Sequence, residues 1–114
     1  MLKKENRLTK RKEFAFVYRK GEQASCKYIN LLTVPTKLKT PRFGFSVSKK
    51  IGKAHQRNLV KRRLREIIRE NMPKINAKFN YVFIAKPDIC DLDYNQLKDI
   101  VINLLLKSGK LNNE

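Results

Sequence analysis

The stretch Phe43-Gly44-Phe45-Ser46-Val47-Ser48-Lys49-Lys50-Ile51-Gly52-Lys53 decides the fold. Phe43, Phe45 and Val47 alternate with Gly44, Ser46 and Ser48. A period of two belongs to a β-strand. One face of this strand is large and apolar, and the other is built only of very small residues. Lys49 to Lys53 follow as a basic turn. Beyond it the pattern predicts a helix that begins near Gln56 or Arg57 and runs to about Asn71, with Pro73 past its end. Val60, Leu64, Ile67 and Ile68 recur at helical spacing and form its buried stripe.

Upstream, Thr9 is placed to cap a short helix, and Phe14, Val17 and Tyr18 form one apolar face of it. Phe16 points elsewhere. Gly21 is expected to end that helix with positive φ. The basic arm before it, Met1 to Leu8, is expected to be frayed and flexible. Ser25 to Val34 then read as a strand closed by Pro35, and Thr36 to Pro41 as a polar loop. Downstream, Tyr81 to Ala85 predict a short buried strand. Asp93 and Gln96 resemble a capping box, and Leu97, Ile100, Val101, Leu104 and Leu105 follow at helical spacing up to Gly109. The order is α-β-β-α-β-α, with room for another strand in the long first strand region. This predicts a single α+β domain over residues 1–114, a small mixed sheet with helices packed on it.

The chain has 114 residues, with 27 Lys+Arg against 10 Asp+Glu and a net charge of +17. At 41% hydrophobic it can build one core, which separates it from a disordered basic tail. The longest apolar run, Ile100 to Leu106, is broken by Asn103 and far shorter than the ~18 residues that span a bilayer. The charged N-terminus leads into no apolar stretch, so no secretory signal is expected. Cys26 and Cys90 make no disulfide framework; two buried thiols in a cytoplasmic protein are expected. Residues 81–114 sum to −1, so residues 1–80 carry +18. A folded domain this basic implies a polyanionic partner, and one part of the chain is set to bind it.

The charge is densest from Lys49 to Arg69, where Glu66 is the one acid. Arg57, Lys61 and Arg65 stand four residues apart and form a row along the helix. Arg62 and Arg69 lie beside that row, and Lys49, Lys50 and Lys53 lead into it. Like charges at this spacing destabilise an isolated helix by a few tenths of a kcal/mol per pair. A row of them implies a compensating polyanion, and the arginine fork suits phosphate. Asn58, on the first turn, is placed either for a phosphate or 2′-hydroxyl or for a local cap. Phe14 and Tyr18 are either core or a platform for unpaired bases. Tyr28 is a candidate to extend that platform. The small residues Ser46 and Ser48 are either a solvated sheet face or a surface that an RNA backbone approaches closely.

No catalytic constellation is visible. His55 is the only histidine, and it has no carboxylate in sequence reach. The cysteines have no metal-ligand spacing with it, and the acids of residues 1–80 are isolated. No metal site of the protein's own is expected.

Phe45-Ser46-Val47-Ser48-Lys49-Lys50-Ile51-Gly52-Lys53-Ala54, followed by Arg57-Asn58-Leu59-Val60-Lys61-Arg62, resembles the bacterial ribonuclease P protein component. Asn6-Arg7-Leu8, Glu13-Phe14, Lys20-Gly21 and Tyr81 to Ala85 with Lys86-Pro87 match in the same order. The resemblance implies an αβββαβα fold with a left-handed βαβ crossover, against the usual right-handed rule. It implies the protein subunit of an endoribonuclease that matures the 5′ end of precursor tRNA. Its RNA subunit would be catalytic and use Mg²⁺. It further implies that Arg57, Asn58, Lys61, Arg62 and Arg65 bind the catalytic RNA. Phe14 and Tyr18 would hold the 5′ leader, with Ser46, Ser48, Lys49 and Lys50 beside them. No membrane and no protein partner are implied. Leu59 stands in place of the motif's second Arg, with Arg63 four residues on as a partial replacement. Leu32 stands where the family often has an aromatic residue.

Composition alone equally allows a structural ribosomal RNA-binding protein. The basic row makes a prediction common to both readings. Lys61→Ala with Arg65→Ala should weaken RNA binding and flatten its salt dependence by about one unit of slope per lost phosphate contact. An unchanged slope in a salt titration would remove this helix from the RNA-binding face.

Overall fold

The computed structural model describes residues 2–112. In chain order it holds α1 (Arg11–Lys20), β1 (Glu22–Ser25), β2 (Ile29–Pro35), β3 (Phe43–Ser46), α2 (Ala54–Asn71), β4 (Phe79–Ala85) and α3 (Tyr94–Lys107). The sheet order is β1-β2-β4-β3. β2 is antiparallel to β1 and β4, whereas β3 is parallel to β4. A parallel pair needs a long crossover, and α2 supplies it. The mixed α+β sheet and the αβββαβα order are therefore as expected.

Alternation along the strands sends their side chains to two different layers. On one side, Phe43 and Phe45 of β3 sit opposite Tyr81 and Phe83 of β4. The rings stack in pairs, with centroids 5.0 Å apart for Phe43–Tyr81 and 5.8 Å for Phe45–Phe83. Ile29 and Leu31 of β2 join them beneath Val60, Leu64, Ile67 and Ile68 of α2 and Leu97, Val101, Leu104 and Leu105 of α3. The buried stripe of α2 is the one its spacing predicts. On the other side, Leu32, Val34 and Val82 meet Val17, Phe14 and Leu8, so α1 and the arm cover this face.

The three α-helices begin at two kinds of cap. Asp93 and Gln96 form a reciprocal box at α3: Gln96 N–H donates to Asp93 Oδ1 at 2.8 Å, and Asp93 N–H donates to Gln96 Oε1 at 2.9 Å. At α1 and α2 the cap residue is a lysine, which has no acceptor, so only the backward half forms. Lys10 N–H donates to Glu13 Oε1, and Lys53 N–H donates to Gln56 Oε1. Lys10, not Thr9, is thus the cap residue of α1. Gly52 has φ 153°, and a Cβ there would collide with the Gln56 amide that folds back to make this cap.

Several local expectations are corrected. Gly21 has φ −73° and passes straight into β1, so no left-handed turn ends α1. The additional strand is β1, Glu22–Ser25, which shares only Ser25 with the Ser25 to Val34 region expected to hold it. Glu-Gln-Ala-Ser has little strand propensity, and pairing with β2 makes it a strand. The arm is not frayed over Leu2 to Leu8. Leu2 and Leu8 are buried, Leu8 N–H donates to Phe43 O at 2.9 Å, and Asn6 Nδ2 donates to Pro41 O at 2.8 Å. Met1 of that arm lies outside the described residues. Cys26 is half-buried and Cys90 exposed, so neither is a core thiol.

Gly44 sits where α1 comes closest to the sheet. A Cβ on it would lie 2.5 Å from Cζ of the Phe14 ring and 3.2 Å from Cδ2 of Leu8. The small-residue face of β3 is therefore packed at this position rather than solvated. Gly44→Ala is expected to destabilise by about 1–3 kcal/mol through overpacking. Combined with Phe14→Leu, whose shorter side chain leaves room, the losses should be less than additive in thermal melts. Strictly additive losses would mean that the ring does not rest on Gly44.

Candidate nucleic-acid interface

The two sheet faces lead to two surfaces. The first is a flank of α2. With its stripe turned into the core, the helix carries Arg57, Lys61 and Arg65 along the margin of the buried face, all half-buried. Asn58 and Arg62 are exposed beside them. Asn58, Lys61, Arg62, Arg65 and Glu66 line a shallow groove of about 350 Å³. The Nε of Arg57 is buried with no hydrogen-bond partner. An unanswered guanidinium donor at the start of a cationic row is the condition that an incoming phosphate relieves.

Two cations of this helix are engaged inside the protein. Arg69 forms an ion pair with Glu66, whose carboxyl is held below its usual range by that hydrogen bond. Arg69 lies beyond the groove, beside Met72 and the arm at Leu2 and Asn6. Arg63 Nη1 donates to Leu92 O at 3.2 Å and ties α2 to the segment before α3. Arg63 thus points away from the row and does not replace the arginine missing at position 59. Glu70 is on the α3 side too, where it accepts from the Tyr94 hydroxyl at 2.5 Å. Burial and that bond push the Tyr94 hydroxyl up to about 12.

The second surface lies under α1. Gly44, Val82, Leu32 and Gln23 are register partners across the sheet, and Phe14 and Val17 cover the middle of this row. The next row, Ser46, Ile84, Asn30 and Ser25, also runs straight across the four strands. Ser46, Ile84 and Asn30 are partly exposed, and Ser25 is exposed. Tyr18 stands one helical turn beyond Phe14, with ring centroids 6.3 Å apart, and remains 48% exposed. Phe14 is a packing residue with one accessible edge, whereas Tyr18 is an open aromatic wall. Ser46 belongs to the partly exposed row next to the one that Phe14 covers at Gly44. Tyr28 does not extend this platform. It lies in the bend between β1 and β2 and packs on the α3 side, facing Ile100 and Leu104.

The basic turn joins the two surfaces. Immediately after Ser46 the chain dips through buried Val47, exposes Ser48, Lys49 and Lys50, anchors at Ile51 and enters α2 after Lys53. Sequence reasoning left out one more basic surface. Lys3, Lys4, Arg7, Lys10 and Arg42 line a groove of about 670 Å³ where the arm lies along β3. Its signal in the sequence is the run of cations in the arm, Lys3, Lys4, Arg7 and Lys10. Arg42 is itself steadied by a 2.8 Å ion pair with Glu13. Among the described residues no cluster of three His, Cys, Asp or Glu could hold a metal ion, and no helix is long and apolar enough to cross a membrane.

Comparison with known proteins bears on this geometry. The family model described as Ribonuclease P matches residues 2–109. A ribonuclease P protein component from Clostridium botulinum is 42% identical over 110 residues, 96% of this chain and 99% of that protein. The RNase P protein of Staphylococcus aureus superposes with a TM-score of 0.88 at 28% identity, covering 94% of this chain and 98% of that one. The RNase P protein of Thermotoga maritima gives 0.82 at 30% identity, covering 89% and 96%. These matches set aside the ribosomal reading that composition allows. The chain belongs to the family of bacterial ribonuclease P protein components.

Proposed function

We propose that this chain binds the catalytic RNA of ribonuclease P along the α2 flank and holds the 5′ leader of precursor tRNA in the cleft under α1. It thereby assists endonucleolytic removal of the leader in the cytoplasm. The observation that carries this reading is the placement of two different surfaces on opposite sides of one thin sheet, joined by the Lys49–Lys53 turn. The α2 flank offers fixed cations and suits a folded, phosphate-dense RNA. The cleft offers an exposed aromatic ring over a floor of small polar groups and suits an unpaired strand that passes without a sequence code.

The chain's own part is electrostatic and positional. Neutralising phosphates on both sides lets two polyanions approach each other, and Tyr18 fixes the path of the leader. Family membership implies Mg²⁺ for the reaction. The described residues offer no cluster of three His, Cys, Asp or Glu for such an ion, so the reading assigns it to the RNA.

The test is reconstitution with the catalytic RNA at low Mg²⁺, scoring precursor cleavage with and without this protein. Tyr18→Ala is the informative variant, because the ring is 48% exposed and its loss leaves the core intact. Stacking is worth about 1–3 kcal/mol per base, so leader-bearing precursor should bind roughly 5- to 150-fold more weakly, with mature tRNA unaffected. Equal losses for both would take Tyr18 off the leader path.

A further inference from the structure

Asn30 is out of keeping with its surroundings. It lies inside β2, between Ser25 of β1 and Ile84 of β4, where strand propensity favours β-branched or aromatic residues. Its neighbours along the strand on the same face are Leu32 and Val34, both packed under α1. Yet the Asn30 side chain makes no hydrogen bond. Its Oδ1 is buried and has no partner among the described residues. A buried amide oxygen without a donor costs the full desolvation of that group. Ser25 and Ser46 share its row, and neither hydroxyl bonds to it.

The unanswered acceptor belongs to the row of Ser25, Asn30, Ile84 and Ser46, which α1 leaves partly exposed. Here Tyr18 stands open, and the cations of the Lys49–Lys53 turn follow from Ser46. The charge and the exposed ring argue for a single-stranded RNA as the occupant. An acceptor that no protein group satisfies argues that this strand must bring the donor.

We infer that Asn30 is a specificity-determining residue of the leader cleft, accepting through Oδ1 a hydrogen bond from one nucleotide of the bound strand. The inference rests on the leader reading above and adds a selective contact to a cleft that otherwise grips by stacking and charge. The donor is a base amino or imino group, or a 2′-hydroxyl, which is the group that tells RNA from DNA. Leu32, one row away, supplies only an apolar surface, and Asn30 carries the buried unpartnered acceptor of its own row.

The experiment uses the reconstituted holoenzyme and a set of precursors in which each leader nucleotide in turn is made abasic or 2′-deoxy. With the wild-type protein, one position should stand out, losing about tenfold in affinity. Sensitivity to the abasic change identifies a base donor, and sensitivity to the deoxy change identifies the sugar. Asn30→Val should bind the unmodified precursor about tenfold more weakly, bind mature tRNA normally, and show no further loss at that position. Its melting temperature should not fall, because valine suits the strand and removes a buried polar atom. A flat profile with the wild-type protein, with the leader still preferred, would overturn the role of Asn30 independently of any variant. An unchanged profile in Asn30→Val would do the same. If the wild-type holoenzyme did not distinguish leader-bearing precursor from mature tRNA, the leader reading itself would fall.

Discussion

Strand β4 has to bury both of its faces, and the rest of the molecule is arranged around that need. Tyr81, Val82 and Phe83 are all fully buried, yet successive residues of a strand point to opposite sides. So small a domain cannot cover both sides with one layer. Tyr81 and Phe83 stack against β3 aromatics under α2 and α3, whereas Val82 is covered by α1. The near-continuous apolar run of β4 is the pattern of a strand with both faces covered. A sheet with helices on both sides necessarily has two chemically independent outer surfaces.

The burial that stabilises the core also fixes the charges. An isolated helix with Arg57, Lys61 and Arg65 in one row would repel itself. Here the adjoining face of the same helix contributes Leu64, Ile67 and Ile68, none of them exposed. Burying a side chain of that size is worth about 1.5–3 kcal/mol, which outweighs a few tenths of a kcal/mol of repulsion per pair. The helix forms without its partner, and its cations are already in place. The acids of α2 do not cancel them. Glu70 is turned toward Tyr94, and Glu66 is taken up by Arg69 at the far end of the groove.

What was legible in the sequence follows from where the information lies. The α2 stripe, the alternation of β3, the Asp93–Gln96 cap and the buried run at Tyr81–Ala85 are local patterns, and each is present as expected. β1, the arm and Gly21 depend on long-range partners. Glu22–Ser25 becomes a strand because β2 lies beside it, and Leu2 to Leu8 are ordered because β3 offers an edge and α2 a place for Leu2. The site divides the same way. Helical spacing places Arg57, Lys61 and Arg65 together, but no spacing shows that Arg63 reaches Leu92 or that Arg69 turns to Glu66. Aromatic character alone groups Tyr28 with Phe14 and Tyr18; the bend after β1 sends it to the other side of the sheet.

The central claim is that the sheet separates the catalytic-RNA surface from the leader surface. Lysine acylation and tyrosine iodination footprinting of the protein alone, with catalytic RNA, and with catalytic RNA plus precursor tests it most directly. Adding the catalytic RNA should protect Lys61 and Lys53 of the α2 flank while Lys98 and Lys107 on α3 remain reactive. The further addition of leader-bearing precursor, and not of mature tRNA, should shield the exposed Tyr18 ring of α1 from iodination. Protection of α3, or of Tyr18 by the catalytic RNA alone, would contradict the account.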